Sequence, residues 1–272
     1  MKYADLHVHT VESDGTYTAA QIVKQAIERG LSAVAITDHD TVGSIAQALK
    51  EAQETGLEII PGIELTSQQD NQEIHMLGYF LDYKQQGLLD KLQLVQQNRI
   101  QRVYKIVENL KALGVELNAQ TIFNISGRGT VGRMHIARAL LLDGWVSSTA
   151  EAFRKYIGDN SPAYVCGFRL SALEAIELIR DAGGVAVLAH PYILDNDELI
   201  TEFAGYGLQG LEVYYPEHSQ SQVNFYLDLA KNLGLLVTGG SDFHGSVKPG
   251  IKLGTIKIPF ELVEKLRQAK IG

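Results

Sequence analysis

The chain has 272 residues, 45% of them hydrophobic and 21% charged, enough apolar content to bury a large core and too much for a disordered or collagen-like polymer. Its 32 Asp and Glu outnumber 24 Lys and Arg, and the net charge of -8 argues against wholesale binding to a nucleic-acid backbone or an anionic membrane. The single cysteine, Cys166, rules out an internal disulfide and a thiolate metal cage, and is expected to be a small buried residue.

Taken in order, the chain opens on MKYADLHVHTVESDG, with acidic and polar residues where a secretory leader needs an apolar run. No apolar stretch approaches the ~20 residues of a membrane span. The expectation is therefore a cytoplasmic protein. Apolar runs then alternate with amphipathic segments: a strand from Tyr3 to His9, a helix from Thr18 to Arg29, a strand from Ser32 to Thr37, a helix from Thr41 to Thr55 and a strand from Leu57 to Ile63. Gly30 and Gly56 stand where helix C-termini want glycine. A further strand, Ile74 to Leu81, follows. The rhythm breaks at residue 84, where Leu88, Leu92, Val95, Val103, Ile106 and Leu110 mark a long helix, and a second helical pattern covers Met134 to Leu142. Residues 84–160 therefore read as a helical insertion, with residues 1–83 and 161–272 as the body. Trp145 and Phe153 are expected in the insertion's core.

After the insertion, Ser171-Ala172-Leu173-Glu174 forms a capping box, and strands are expected at Val185 to Ala189, Gln209 to Tyr214, Leu235 to Thr238 and Gly254 to Ile258, before a terminal helix from Pro259. About eight strands at βα spacing predict an α/β barrel, distorted or one strand short, with an open doubly wound sheet as the alternative.

The histidines carry the chemistry. His7 and His9, two apart on a strand, share a face, as two ligands of one metal centre must. Asp14 follows in Ser13-Asp14-Gly15. His39 lies in Thr37-Asp38-His39-Asp40, Glu64 ends the third strand and His75 lies in the fourth. His190 precedes Pro191, and Asp242 and His244 stand in Ser241-Asp242-Phe243-His244. Any one of these alone is an ordinary cap or turn residue. Six imidazoles and three carboxylates converging on one rim would be costly to desolvate uncompensated, and bound cations are the physical remedy. Nine ligands suit two or three divalent ions, and nitrogen with oxygen donors favours manganese, iron or zinc. Such a cluster acidifies water, clamps phosphoryl oxygens and stabilises a leaving oxygen, so phosphate ester hydrolysis is the reaction class expected.

These motifs, Asp5-Leu6-His7-Val8-His9-Thr10 with Ser13-Asp14-Gly15, Thr37-Asp38-His39-Asp40, Gly62-Ile63-Glu64, His75, Ala189-His190-Pro191 and Ser241-Asp242-Phe243-His244, closely resemble the PHP superfamily, named for polymerase and histidinol phosphatase. The resemblance implies a distorted (β/α)7 TIM-like barrel with a trinuclear site. By it, His7, His9, Glu64 and Asp242 would hold one ion, Glu64, His75 and His190 a second, and Asp14, His39 and His244 a third, the last three residues also facing substrate.

Between residues 84 and 160, 11 Lys and Arg face 6 Asp and Glu, a net +5, which leaves 13 against 26, or -13, elsewhere. Arg99 and Arg102 share a helix face that could present a fork to a phosphate or be an ordinary solvated face. Arg133 and His135 open a helix after Gly127-Arg128-Gly129-Thr130-Val131-Gly132. Within the superfamily these segments look like those of phosphatases acting on nucleoside 3′,5′-bisphosphates, or of ribonuclease AM-like enzymes trimming short RNAs from the 5′ end. The resemblance implies that Arg99, Arg102, Arg133 and His135 grip the 5′-phosphate of a small nucleotide or RNA end. Rival readings are a histidinol phosphate or AMP phosphatase, and a non-catalytic metal-binding module. His218 could face the pocket or be an ordinary loop residue, and Asp38 and Asp40 could orient ligands or cap a helix.

Overall fold

Ala33-Val34-Ala35-Ile36 is apolar at every position, the signature of a strand covered on both faces. In the computed structural model, which describes residues 1–70, 72–194 and 196–270, it forms β2 (Ala33–Ile36), flanked in parallel by β1 (Tyr3–Asp5) and β3 (Glu58–Gln69). The helices α1 (Ala19–Glu28) and α2 (Ile45–Glu51) make the two crossovers; α1 starts at a Thr18–Gln21 capping box and buries Ile22, Val23 and Ala26. Then β4 (Gln72–Tyr79) runs back against β3, pairing Glu64 with Leu77 and Thr66 with His75. This antiparallel strand departs from the uniform βα alternation expected. It matters for the site, because the start of β4 lies at the rim where β1, β2 and β3 deliver their C-terminal ends.

The helical segment contains α3 (Gln86–Ala112), α4 (Ala119–Ser126), α5 (Arg133–Leu142) and α6 (Thr149–Ala152), with a π-helical turn at Phe153–Ile157. Leu88 and Leu92 of α3 pack into the barrel core, while Val103, Ile106 and Leu110 join Ile122, Ile136 and Leu140 in a separate apolar cluster. Two expectations fail here. Trp145 is exposed, its indole N–H donating to the Glu116 carbonyl at 3.1 Å, and Cys166 is exposed in the segment that leads back to the barrel. Phe153 is partly buried against the cluster.

The barrel resumes with β5 (Leu170–Ser171) on the end of β3, then α7 (Ala172–Asp181), β6 (Val185–Leu188), α8 (Glu198–Gly205), β7 (Gly210–Tyr214), α9 (Gln220–Leu233) and β8 (Leu236–Gly239). β6 is antiparallel to β4, and β7 and β8 are parallel to β6. The ring closes back on the first strand, where Leu6 N–H donates to Gly239 O at 3.3 Å and Val8 bridges Phe243. Seven strands, β1 to β4 and β6 to β8, thus form a nearly closed, distorted barrel. β9 (Ile258–Pro259) adds only two residues, antiparallel to β1, before α10 (Phe260–Ala269). No helix among the described residues is long and apolar enough to cross a membrane.

Candidate metal centre and anion pocket

The first strand ends at Asp5, so His7 and His9 flank the bridge residue Val8 rather than sitting within a strand. Both rings are fully buried, and Gly240 makes room for them: a Cβ there would lie 2.3 Å from the His7 backbone nitrogen. The bridge between His39 and Glu64 sets those two side by side, and His75 enters from the start of β4. His190 and Asp242 both hold positive φ, 26° and 51°, a conformation a non-glycine residue keeps only where its surroundings over-determine it.

All nine residues meet at one rim. The Glu64 carboxylate is the hub: Oε2 lies 3.2, 3.1 and 3.2 Å from His7 Nε2, His9 Nε2 and His39 Nδ1, and Oε1 lies 2.9 and 3.0 Å from His75 Nδ1 and His190 Nε2. Asp242 Oδ1 faces His9 Nε2 at 3.2 Å and His244 Nδ1 at 3.3 Å, and Asp14 Oδ1 faces His244 Nε2 at 3.1 Å. Ligand atoms close into three groups: His9, Asp14, His39 and His244; His7, His9 and Asp242; His39, Glu64 and His75. Their electrostatics are those of a packed ionic cluster. Burial pushes His7 towards neutrality, but Glu212, Glu64 and Asp242 outweigh it and hold its pKa well above the ordinary value. The same contest leaves His9 at about 9 and His75 at about 10, whereas burial wins at His39, pushed down to about 3. Burial would raise the carboxyl of Asp14, but His244 and His39 keep it well below the usual range.

These residues fit divalent cations on an observation of their own. His7 Nε2, His9 Nε2, His39 Nδ1, Glu64 Oε2 and Asp14 Oδ1 are buried without a hydrogen-bond partner. Such atoms cost free energy unless something satisfies them. Nitrogen and oxygen ligands about 2.1 Å from an ion stand about 3 Å apart, which is the spacing found.

Three residues that sequence reasoning passed over, Glu212, Tyr215 and Lys248, brace side chains of the cluster. Glu212 Oε1 pairs with His7 Nδ1 at 2.9 Å, and its Oε2 accepts the His190 N–H at 2.8 Å. Tyr215 and Lys248 both donate to Asp242 Oδ2, at 2.7 and 2.5 Å. Asp38 accepts from Thr10 N–H, Thr10 Oγ1, Ser13 Oγ and Ser44 Oγ, tying the first loop to the second. His218 stays apart from the cluster: its Nδ1 contacts Val213 O at 2.8 Å and its ring packs among Tyr192, Tyr215 and Tyr226.

Beside the cluster lies a cavity of about 160 Å³ lined by Asp14, His39, His75, Glu73 and the guanidinium groups of Arg99, Arg102 and Arg133. Arg99 is largely committed: it grips Asp40, donates to Thr66 Oγ1 at 2.9 Å and reaches Val131 O at 3.3 Å. Arg102 donates Nε–H to Val165 O at 2.7 Å and keeps NH2 buried without a partner. Burial and its neighbours Arg133 and Arg169 push its pKa down to about 10. Arg169, which no motif marked, is 7% exposed, pairs with Glu73 and leaves its Nε unpartnered. Tyr164 lies under both Arg102 and Arg133. His135 is not brought to the cavity. It is buried, and its Nδ1 accepts the Gly132 N–H at 3.0 Å as part of the start of α5. A second cavity, of about 320 Å³, shares Asp14, His39, His75 and Met134 with the first, is also lined by Glu64, His190, Asp242 and His244 of the cluster, and extends to Tyr192, Glu217 and Lys248.

Comparison with known proteins gives a consistent set. A family model described as PHP domain matches residues 5–160. A 5′-3′ exoribonuclease Rnm of Escherichia coli is 35% identical over 92% of this chain and 87% of its own length. A 3′,5′-nucleoside bisphosphate phosphatase of Chromobacterium violaceum is 30% identical over 93% of this chain and 91% of its own. Among solved structures, a protein of Bifidobacterium adolescentis described as a metal-dependent phosphoesterase superposes with a TM-score of 0.91 at 32% identity, covering 99% of this chain and 96% of that one.

Proposed function

This chain belongs to the PHP domain family of phosphoesterases, and from that premise we propose that it removes the 3′-phosphate from nucleoside 3′,5′-bisphosphates. The observation that carries the reading is the juxtaposition of the nine-residue cluster with a cavity lined by Arg99, Arg102 and Arg133, where Arg102 NH2 is buried without a partner; Arg169, its Nε likewise unpartnered, lines a smaller cavity that shares Arg99 and Arg102 with it. Donors of that kind want a multivalent anion, and a substrate with a second phosphate supplies one. The helical segment 84–160 thus serves as the substrate-holding part and the body of residues 1–83 and 161–272 as the catalytic part, with Arg169 contributed from the body.

His7, His9, Glu64 and Asp242 would hold one divalent ion, Glu64, His75 and His190 a second, and Asp14, His39 and His244 a third, with manganese, iron or zinc suited to these donors. Bound there, such ions acidify water and neutralise phosphoryl oxygens. The chain's own residues do the rest. Glu212 orients His7 through Nδ1, and Tyr215 and Lys248 occupy Asp242 Oδ2 so that Oδ1 is left for the cluster. Arg102, Arg133 and Arg169 hold the 5′-phosphate, Arg99 braces their helix against Asp40, and the fixed offset between the two sites presents the 3′-phosphoryl group to the cluster. A second reading, trimming of short 5′-phosphorylated RNA, is favoured by the 320 Å³ cavity, which extends from the cluster to Tyr192, Ile193 and Glu217 and offers room for a leaving nucleotide that a monoester does not need.

A side-by-side assay with Mn2+ tests this on nucleoside 3′,5′-bisphosphate, 5′-AMP, histidinol phosphate and a short 5′-phosphorylated RNA. The bisphosphate, or the RNA on the second reading, is expected to exceed the two monophosphates in kcat/KM by roughly tenfold or more, the worth of one or two charged hydrogen bonds. Equal turnover of 5′-AMP or histidinol phosphate would sink the assignment.

A further inference from the structure

A carboxylate inside an anion pocket works against the pocket's attraction for phosphate, so Glu73 needs a reason to be there. It stands two residues before His75 on β4, and the period of a strand puts both side chains on one face. Glu73 Oε1 lies 3.1 Å from His75 Nε2, while His75 Nδ1 faces Glu64 in the metal cluster. The other oxygen, Oε2, accepts from Arg133 NH2 at 3.0 Å and from Arg169 NH2. One side chain therefore spans from a member of the cluster to two guanidinium groups of the anion pocket. The arrangement anchors Arg133 and Arg169 by one edge and leaves Arg169 Nε, with Arg102 NH2 beside it, unpartnered. Simple charge balance would not require contact with His75, and simple orientation of His75 would not require two arginines.

We propose that Glu73 is a positioning residue that locks the arginine pocket to the metal cluster through His75, and so makes efficient turnover depend on the substrate's second phosphate. The inference rests on the reading that a second phosphate occupies the pocket. It goes further in assigning to one carboxylate both the span between the two sites and the communication between them: a phosphate drawn onto Arg133 and Arg169 pulls on the same group that sets the tautomer and angle of His75.

The test is a cycle of kcat/KM values at saturating Mn2+ for wild type, Glu73→Gln and Glu73→Asp, each on adenosine 3′,5′-bisphosphate and on 3′-AMP, which lacks the 5′-phosphate. Gln keeps the volume and loses the charge; Asp keeps the charge and is too short to reach both partners. Metal content and melting temperature are recorded for each variant. The expected result is that the preference for the bisphosphate falls by about tenfold or more in both variants, with part of the loss in kcat for the bisphosphate. Loss by the same factor on both substrates would overturn the proposal and leave Glu73 as a holder of His75 only. Asp behaving as wild type would overturn it in favour of charge balance alone. A wild-type enzyme indifferent to the 5′-phosphate would overturn the functional reading itself, and the Glu73 inference with it, whereas a strong wild-type preference unchanged in the variants would remove the inference alone.

Discussion

At the scale of single residues, the nine rim residues were legible as candidate ligands because imidazole and carboxylate are informative where apolar strands end, and because their number exceeds what turn-making needs. Their supports were not. Glu212, Lys248 and Arg169 are common residue types whose meaning depends on a partner far away in sequence, such as the 205 residues that separate Glu212 from His7. Glu73 was closer to readable, since its two-residue offset from His75 places both on one face. His135, marked by its motif, stands at the start of α5, where its Nδ1 accepts the Gly132 N–H and it neighbours Asp14. The support by Glu212 is testable: Glu212→Gln should weaken metal affinity about 10- to 100-fold while leaving the fold intact, as measured by Mn2+ titration of activity and by circular dichroism. Unchanged affinity would mean that the Glu212–His7 contact only fills space.

At the scale of elements, the parallel first half of the barrel followed directly from its apolar runs and capped helices, whereas the reversal at β4 did not. Gln69 of β3 pairs with Gln72 of β4, and Asp70 takes φ 49°. The ten residues between the expected strands ending at Ile63 and starting at Ile74 are too few for a crossover helix, but that strand, counted with the rest at βα spacing, reads as one more βα unit. α3 joins both parts of the molecule. Its Leu88 and Leu92 belong to the barrel core, Val103 and Ile106 belong to the helical cluster, and Arg99 and Arg102 lie between, at the level of the rim. On the proposed reading, Arg102→Ala should raise KM for a bisphosphate roughly tenfold or more with kcat changed far less, because it would remove a group that holds the remote phosphate rather than one that touches the reacting phosphorus. Steady-state kinetics at several bisphosphate concentrations checks this, and an unchanged KM would remove Arg102 from the substrate site.

At the scale of the whole molecule, the net charge of -8 resolves into a segment of +5 on a body of -13. The body's excess includes Asp14, Glu64 and Asp242, whose carboxyls are held well below the usual range by neighbouring imidazoles and, at Asp242, by Lys248, so the acidity that argues against extended nucleic-acid binding is in part gathered in the candidate metal cluster. The basic segment contributes Arg99, Arg102 and Arg133 to the cavity beside the cluster. The central claim, that these nine residues hold the ions of a phosphoesterase, is tested most directly by phosphate release from adenosine 3′,5′-bisphosphate by wild type and Asp242→Asn, with Mn2+, after chelation and after Mn2+ is restored. The account predicts turnover that chelation abolishes and Mn2+ restores, and a loss of about a hundredfold or more in Asp242→Asn with its melting transition retained. Turnover that survives chelation, or that is undiminished in Asp242→Asn, would contradict it.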